Sequence, residues 1–202
     1  MGLRVAVTPL RVDSPSSHAV IEADHFLLGG RTGRGGRLLA ANEPITIAAD
    51  GTFAKTIPAR EIGDHPFLLR ATAPGQAPRL ATVRVKRVEK LADEARDFGA
   101  AAPLTFAELT ADVSKHVGEP VVLAGDVVET RQQGAKNLAL LDVSKGCPRP
   151  PCVARIALSA GDPLTRGARL QVFGHVTGAV AAKNEGANAV PEVEGDFFLK
   201  RP

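Results

Sequence analysis

The chain has 202 residues, a formal net charge of +3, 44% hydrophobic and 23% charged residues. With mean hydropathy near zero this composition excludes an intrinsically disordered chain, and no apolar stretch approaches the roughly 18 residues of a membrane-spanning helix. Eight Phe with no Trp and no Tyr leave few rings for ligands that bind by stacking.

The basic excess is uneven. Residues 1–88 hold 12 Lys/Arg against 7 Asp/Glu, residues 89–102 hold 2 against 4, and residues 103–202 hold 11 against 11. No Lys/Arg block suggests a nucleic-acid arm. The opening MGLRVAVTPLRV has no apolar run of roughly 7–15 residues and no cleavage site, so no signal peptide is expected in it.

From Arg4 to Val88 short alternating runs are separated by turn residues. The expected strands are Arg4–Val12, His25–Gly29, Gly36–Ala40, Pro44–Ala48, Thr52–Ile57, Pro66–Ala73 and Leu80–Val88. Turns are expected at Asp13–Ser17, Thr32–Gly35, Ala49–Gly51 (with Asp50–Gly51 a strong hairpin signal), Gly63–Asp64 and Pro74–Pro78, where Gly, Pro, Asn and Asp punctuate strands. About seven strands of this kind describe an antiparallel β-sandwich. Phe26, Leu28, Leu39, Ile45, Ile47, Phe53, Ile57, Phe67, Leu69, Val83 and Val85 are its expected inner faces.

The succession RVDSPSS, FLLGGRTGRGGRL, PITIAADGTFAKTI, IGDHPFLLRATAPG and ATVRVKRV resembles the bacterial Ig-like repeats, specifically those similar to the B domain of glucodextranase. The resemblance covers about 75 residues. It implies a non-catalytic accessory module of cell-surface or secreted proteins and names no ligand.

Within this module Gly29 to Arg37 is rich in Gly and Arg. A phosphate-cradling loop would need a Gly-Lys-Ser/Thr ending and a following helix, and neither is present. The cluster reads as a strand–turn–strand corner in which Gly supplies positive φ. Arg31, Arg34 and Arg37 remain a basic spot able to meet an acidic surface.

Between Val85 and Pro103 the rhythm changes. Val88, Leu91, Ala92, Ala95 and Phe98 recur at steps of three and four, the spacing of one helix face. The intervening positions are charged, and Pro103 cannot continue the helix. The expected organisation is therefore residues 1–87 as a sandwich, 88–103 as a helical connector holding two modules apart, and 104–202 as a second module.

The second module opens with Thr105 and Glu108 at capping-box spacing, followed by Phe106, Leu109, Val113 and Val117 on one face up to Gly118. Five strands are expected: Pro120–Arg131, Ala135–Val143, Cys152–Leu158, Ala168–Val180 and Glu192–Lys200. The first and fourth are long and contain glycines (Gly125; Gly174, Gly178), which mark the coils that close a small barrel. The phrases VGEPVVLAGDVVE, RGARLQVFGHVTG and VPEVEGDFFL resemble an OB-fold, with Leu123 and Leu170 as conservative departures from its usual pattern. The fold class that follows is mainly β: an Ig-like β-sandwich and an OB-fold five-stranded barrel joined by a short α-helical linker.

OB-folds commonly bind single-stranded nucleic acid through a basic groove and stacking rings. This module has balanced charge and only Phe106, Phe173, Phe197 and Phe198, so nucleic acid is not the expected partner. A ligand at the usual place would be bordered by the loops 131–136 and 181–190, with Arg131, Gln132, Lys136, Lys183 and Asn184 as candidate contacts.

The two cysteines lie in GCPRPPC, Cys147 and Cys152. A thioredoxin-type pair needs two intervening residues and a zinc site needs further ligands, so a structural disulfide is expected, and with it an oxidising compartment. His18, His25, His65, His116 and His175 are scattered, without metal-ligand spacing. Glu192, Glu194 and Asp196 alternate along the last strand and read as a solvated sheet face. With no nucleophile–base motif or dinucleotide fingerprint, neither catalytic residues nor a cofactor nor a metal is expected. The functional expectation is a non-enzymatic interaction module of a bacterial envelope or secreted protein, contacting another protein or a cell-wall glycan. The alternative is an OB-fold nucleic-acid-binding protein. A periplasmic or extracellular location is expected, with the cytoplasm open because the start carries no signal peptide.

Overall fold

Why a chain with this punctuation folds as it does is visible in a computed structural model, which describes residues 5–147, 152–159, 164–180 and 189–201. The sandwich strands are β1 (Leu10–Ser14), β2 (Ala19–Ile21), β3 (His25–Thr32), β4 (Arg37–Ala40), β5 (Glu43–Ile45), β6 (Thr52–Pro58), β7 (Gly63–Thr72) and β8 (Arg79–Arg87). One sheet has the order β1-β3-β6, the other β2-β8-β7-β4-β5. Their facing sides supply Phe26, Leu28, Leu38, Ile45, Phe53, Ile57, Leu69, Val83 and Val85, all buried. The structure corrects the expected face of β4: Leu38 and Ala40 point inward, and Leu39 between them does not. The two-residue period forces that choice once Leu38 pairs with Ala71.

The first strand is shifted too. Val5 and Val7 are exposed; Val7 makes only an isolated bridge to Ala77, and the ladder with β3 begins at Leu10. The missed strand, β2, is only three residues long and runs parallel to β8. Pro15, which has no N–H to give a ladder, separates β1 in one sheet from β2 in the other. The Asp50–Gly51 turn forms as read: Gly51 takes φ +87°, and Asp50 Oδ1 accepts from Thr52 N at 3.0 Å and Oγ1 at 2.6 Å.

The connector is α1 (Leu91–Ala101). It does not act as a spacer. Leu91, Ala95 and Phe98 pack on Phe173, Phe197, Val122 and Leu199, which line the outside of the second module. Three elements hold the helix there. Phe98 meets Phe173 and Phe197 edge-on at 5.8 and 5.9 Å. Glu22 of the sandwich accepts from the Leu91 backbone N–H at 3.0 Å, supplying the N-cap that Lys90 lacks. Lys86 pairs with Glu94 at 2.7 Å.

After α1 the predicted capping box is present, with Thr105 Oγ1 accepting from Glu108 N and Glu108 accepting from Thr105 N. The helix α2 (Phe106–Ala111) is short, and a 3-10 turn (Val113–His116) follows it. That break leaves Val117 exposed, off the buried face of Phe106, Leu109 and Val113. The barrel strands are β9 (Pro120–Gln133), β10 (Lys136–Asp142), β11 (Val153–Ser159), β12 (Arg169–Val180) and β13 (Val190–Lys200). They close in the order β10-β11-β13-β12-β9. All pairings are antiparallel except β11 with β13, the topology of an OB-fold barrel. In β12 a Cβ on Gly174 would lie 2.2 Å from the Glu194 carbonyl oxygen, so only glycine lets the coiled strand approach its neighbour there. Cys147 and Cys152 are joined by a disulfide, Cα–Cα 6.3 Å. No helix among the described residues is long and apolar enough to cross a membrane.

Candidate binding cleft between the modules

The two β-modules meet directly, β1 lying against β11 and β2 against β13. At one contact a Cβ on Gly29 of β3 would fall 2.4 Å from the Cβ of Ala135, which turns the β9–β10 hairpin. Beside this contact opens a cleft of about 440 Å³. The sandwich contributes Arg11, Asp13 and Arg31; the barrel contributes Gln133, Gly134, Lys136, Arg155, Glu192 and Glu194, over a floor of Leu138, Ala139 and Ile156. The cleft lies on the β10–β11 surface next to the first hairpin, where OB-folds place their ligands.

Among the described residues, six of its seven charged ones form three pairs, Arg31 standing outside them. Arg11 Nε lies 2.8 Å from Asp13, Arg155 Nη1 3.0 Å from Glu192, and Lys136 Nζ 2.7 Å from Glu194. The first two pairs are solvated on at least one side, where such contacts contribute about 0.2–1 kcal/mol. The third is about three-quarters buried on both sides, and Glu194 also accepts from Ser17 Oγ of the sandwich at 3.3 Å. Burial alone would push the Glu194 carboxyl up, but the Lys136 ammonium and the Ser17 donors outweigh it and hold the group below its ordinary value. Glu194 is thus an ionised pin that ties β13 to β10 and to the sandwich.

Next to it the seam is polar. His18 of the sandwich lies against His175 of β12, ring centroids 4.4 Å apart, and Phe98 of α1 meets the same ring edge-on at 5.9 Å. His175 Nδ1 is 2.8 Å from Asp196 Oδ2. That contact is poorly directed, since Nδ1 and the buried Asp196 Oδ1 have no satisfied hydrogen bond. Burial, with the nearby Glu194 charge, pushes the Asp196 carboxyl up to about 8. Burial followed by the neighbouring His18 lowers His175. Both groups are therefore driven toward their neutral forms.

Of the residues singled out from the sequence, Arg31 and Lys136 line the cleft. Arg34 and Arg37 are exposed outside it, in the turn and on β4 of the opposite sheet. Arg131 and Gln132 are exposed on the β9–β10 hairpin beside it, while their neighbours Gln133 and Gly134 form its wall. Lys183 and Asn184 lie outside the described residues. The expected solvated face of β13 is corrected. Glu192 and Glu194 are ion-paired, and Asp196 is only 7% exposed because the sandwich and α1 cover that side of the barrel. Arg11, Asp13, Arg155, His18 and His175 were not singled out. The signal that could have found Asp196 is local, an acid set between Gly195 and the pair Phe197–Phe198.

No family model matches the chain and no curated protein matches it. Fifteen solved chains show similarity. One is the structure titled "OBody AM3L09 bound to hen egg-white lysozyme", 18% identical, with a TM-score of 0.34, covering 45% of this chain and 90% of that one.

Proposed function

We propose that the chain is a non-enzymatic binding module of an exported bacterial protein, which contacts another protein through the cleft between its sandwich and its barrel. The observation that carries this reading is the make-up of the cleft walls. Alternating cations and anions from both modules surround it, and no aromatic ring is among the described residues lining it. Small-molecule pockets are mostly apolar and aromatic, and a sugar or base would need a ring to stack on. A protein surface needs complementary charges around apolar ground, and that is what Arg11, Asp13, Arg155 and Glu192 around Leu138 offer.

Against the nucleic-acid alternative, Phe173 and Phe197 stack on each other at 4.6 Å under α1 and offer no base a platform. The resemblance of the first module to glucodextranase-type Ig-like repeats and the disulfide both favour an envelope or secreted location. In the test, Arg155 is replaced by a photo-crosslinking amino acid and the protein is exposed to envelope extract. In parallel, methyl and amide NMR signals of the wild type are followed with muropeptides and with an oligothymidylate. The reading expects a discrete protein crosslink that Arg31→Glu removes, and no saturable shifts from either probe. Saturable shifts of Leu138 and Ile156 with muropeptides or oligonucleotide would replace it.

A further inference from the structure

A second cavity, distinct from the charged cleft, lies where β2, the start of α1 and the barrel meet. Its volume is about 470 Å³, and Val20, Ile21, Phe26, Leu91, Leu158 and Phe197 give it apolar walls. Two acids also line it, Glu22 and Asp196. Glu22 is exposed, with one oxygen engaged by the Leu91 N–H. Asp196 is different: its side chain is 2% exposed, and Oδ1 has no hydrogen-bond partner. A buried polar oxygen without a partner is uncommon in a folded protein and calls for an explanation. The lining histidine, His25, is exposed and already engaged with Asp24 at 2.7 Å.

We infer that this cavity is a binding site for a small organic amine, whose apolar body fills the space between β2 and α1 and whose ammonium group meets Asp196. Both acids lining the cavity present acceptors, so a complementary ligand must bring donors, and two carboxyl groups favour a cation over a neutral alcohol. A carboxylate ligand would gain no ion pair with either acid and would meet the Glu22 charge at the mouth. The Asp196 carboxyl holds its proton near neutrality, faced by Glu194 of its own strand and by His175 of β12 at 2.8 Å; an ammonium group forms its ion pair by displacing that proton, which passes to solvent because burial and His18 keep His175 neutral. The N–H donors then engage Oδ1, and one proton leaves for each amine bound.

The probe is phenethylamine, with 3-phenylpropionate and 2-phenylethanol as matched controls, followed by NMR and by calorimetry at pH 7 in two buffers of different ionisation enthalpy. The expected result is one saturable amine site that shifts Val20, Ile21, Leu91 and Leu158 methyl signals, with the controls roughly tenfold or more weaker. The buffer dependence of the enthalpy should report proton release. Asp196→Asn should weaken the amine about tenfold and abolish the proton release. Ala23→Phe, which adds a ring at an exposed position lining the cavity, should remove binding in a folded protein. Equal binding of all three probes, no amine binding up to millimolar concentration, or amine binding that survives Ala23→Phe would each overturn the inference. It stands apart from the proposed protein-binding cleft, whose crosslinking test does not involve this cavity.

Discussion

Replacing Asp196 with Asn gives the most direct test of the seam, because the two forms differ in one ionisation and little in shape. The native carboxyl keeps its proton to about pH 8, whereas the ordinary value is 3.8. Between those values the native state binds more protons than the unfolded chain, so this group's contribution is complete below the ordinary value and is lost as pH rises toward 8. His175 works in the opposite sense. Its native pKa is lowered from 6.5, so the unfolded chain binds more protons below 6.5 and stability falls as pH drops. Beneath pH 6.5 the two trends oppose each other, and between pH 6.5 and 8 only the Asp196 trend remains. At 1.4 kcal/mol per pH unit that window amounts to about 2 kcal/mol. The assay is urea unfolding at a series of pH values, followed by circular dichroism because the chain has no Trp or Tyr. The wild type should lose about 2 kcal/mol from pH 6.5 to 8, and Asp196→Asn should be nearly flat there. An Asn variant with the same slope would show that Asp196 is ionised throughout and that its burial has been misjudged.

Three further outcomes follow from the packing. Phe98→Ala removes a half-buried ring set edge-on to Phe173, Phe197 and His175; it should cost about 2–3 kcal/mol and speed hydrogen exchange along α1 while leaving the barrel strands protected. Gly29→Leu cannot be accommodated against Ala135 at 2.4 Å, so the modules should part, seen as a larger radius of gyration in X-ray scattering with the strand content unchanged. Reducing or replacing the Cys147–Cys152 disulfide, which spans a sequence separation of 5, should cost about 2 kcal/mol on the chain-entropy account, read as a lower melting temperature in reductant.

Strand positions and fold class were legible because two-residue alternation and glycine–proline punctuation are local properties. The five barrel strands fall within a few residues of their expected bounds, and Asp50–Gly51 and Thr105–Glu108 form as their spacing predicts. The misplaced features depend on what lies across space. Val88 to Phe98 shows a helix period but not what the helix covers, and a buried stripe reads the same whether it faces a partner module or its own sandwich. β2 escaped because three residues carry too little pattern. Asp196 was read with Glu192 and Glu194 because a strand's period groups all three on one face. The sandwich then covers only part of that face, burying Asp196 while leaving Glu192 half exposed. Lys136 was found because OB-fold loops border the ligand surface; Arg11 and Asp13 were not, because they reach the cleft from the other module.

The placement of α1 decides whether the cleft is a fixed feature. A helix standing free between the modules would leave Phe173 and Phe197 as an apolar patch on the barrel, a costly exposure for a chain with only eight aromatic residues. Covered by Phe98, the patch instead fixes the helix on β12 and β13, while Glu22 and the Lys86–Glu94 pair fix its start on the sandwich. A connector held at both ends leaves little freedom for the modules to hinge, and Glu194 closes the remaining side by engaging Lys136 and Ser17 together. The cleft walls are then set before any partner arrives, which lowers the ordering cost of association. Loosening the helix should therefore weaken the proposed partner's binding at the cleft even though α1 supplies none of the residues that line it.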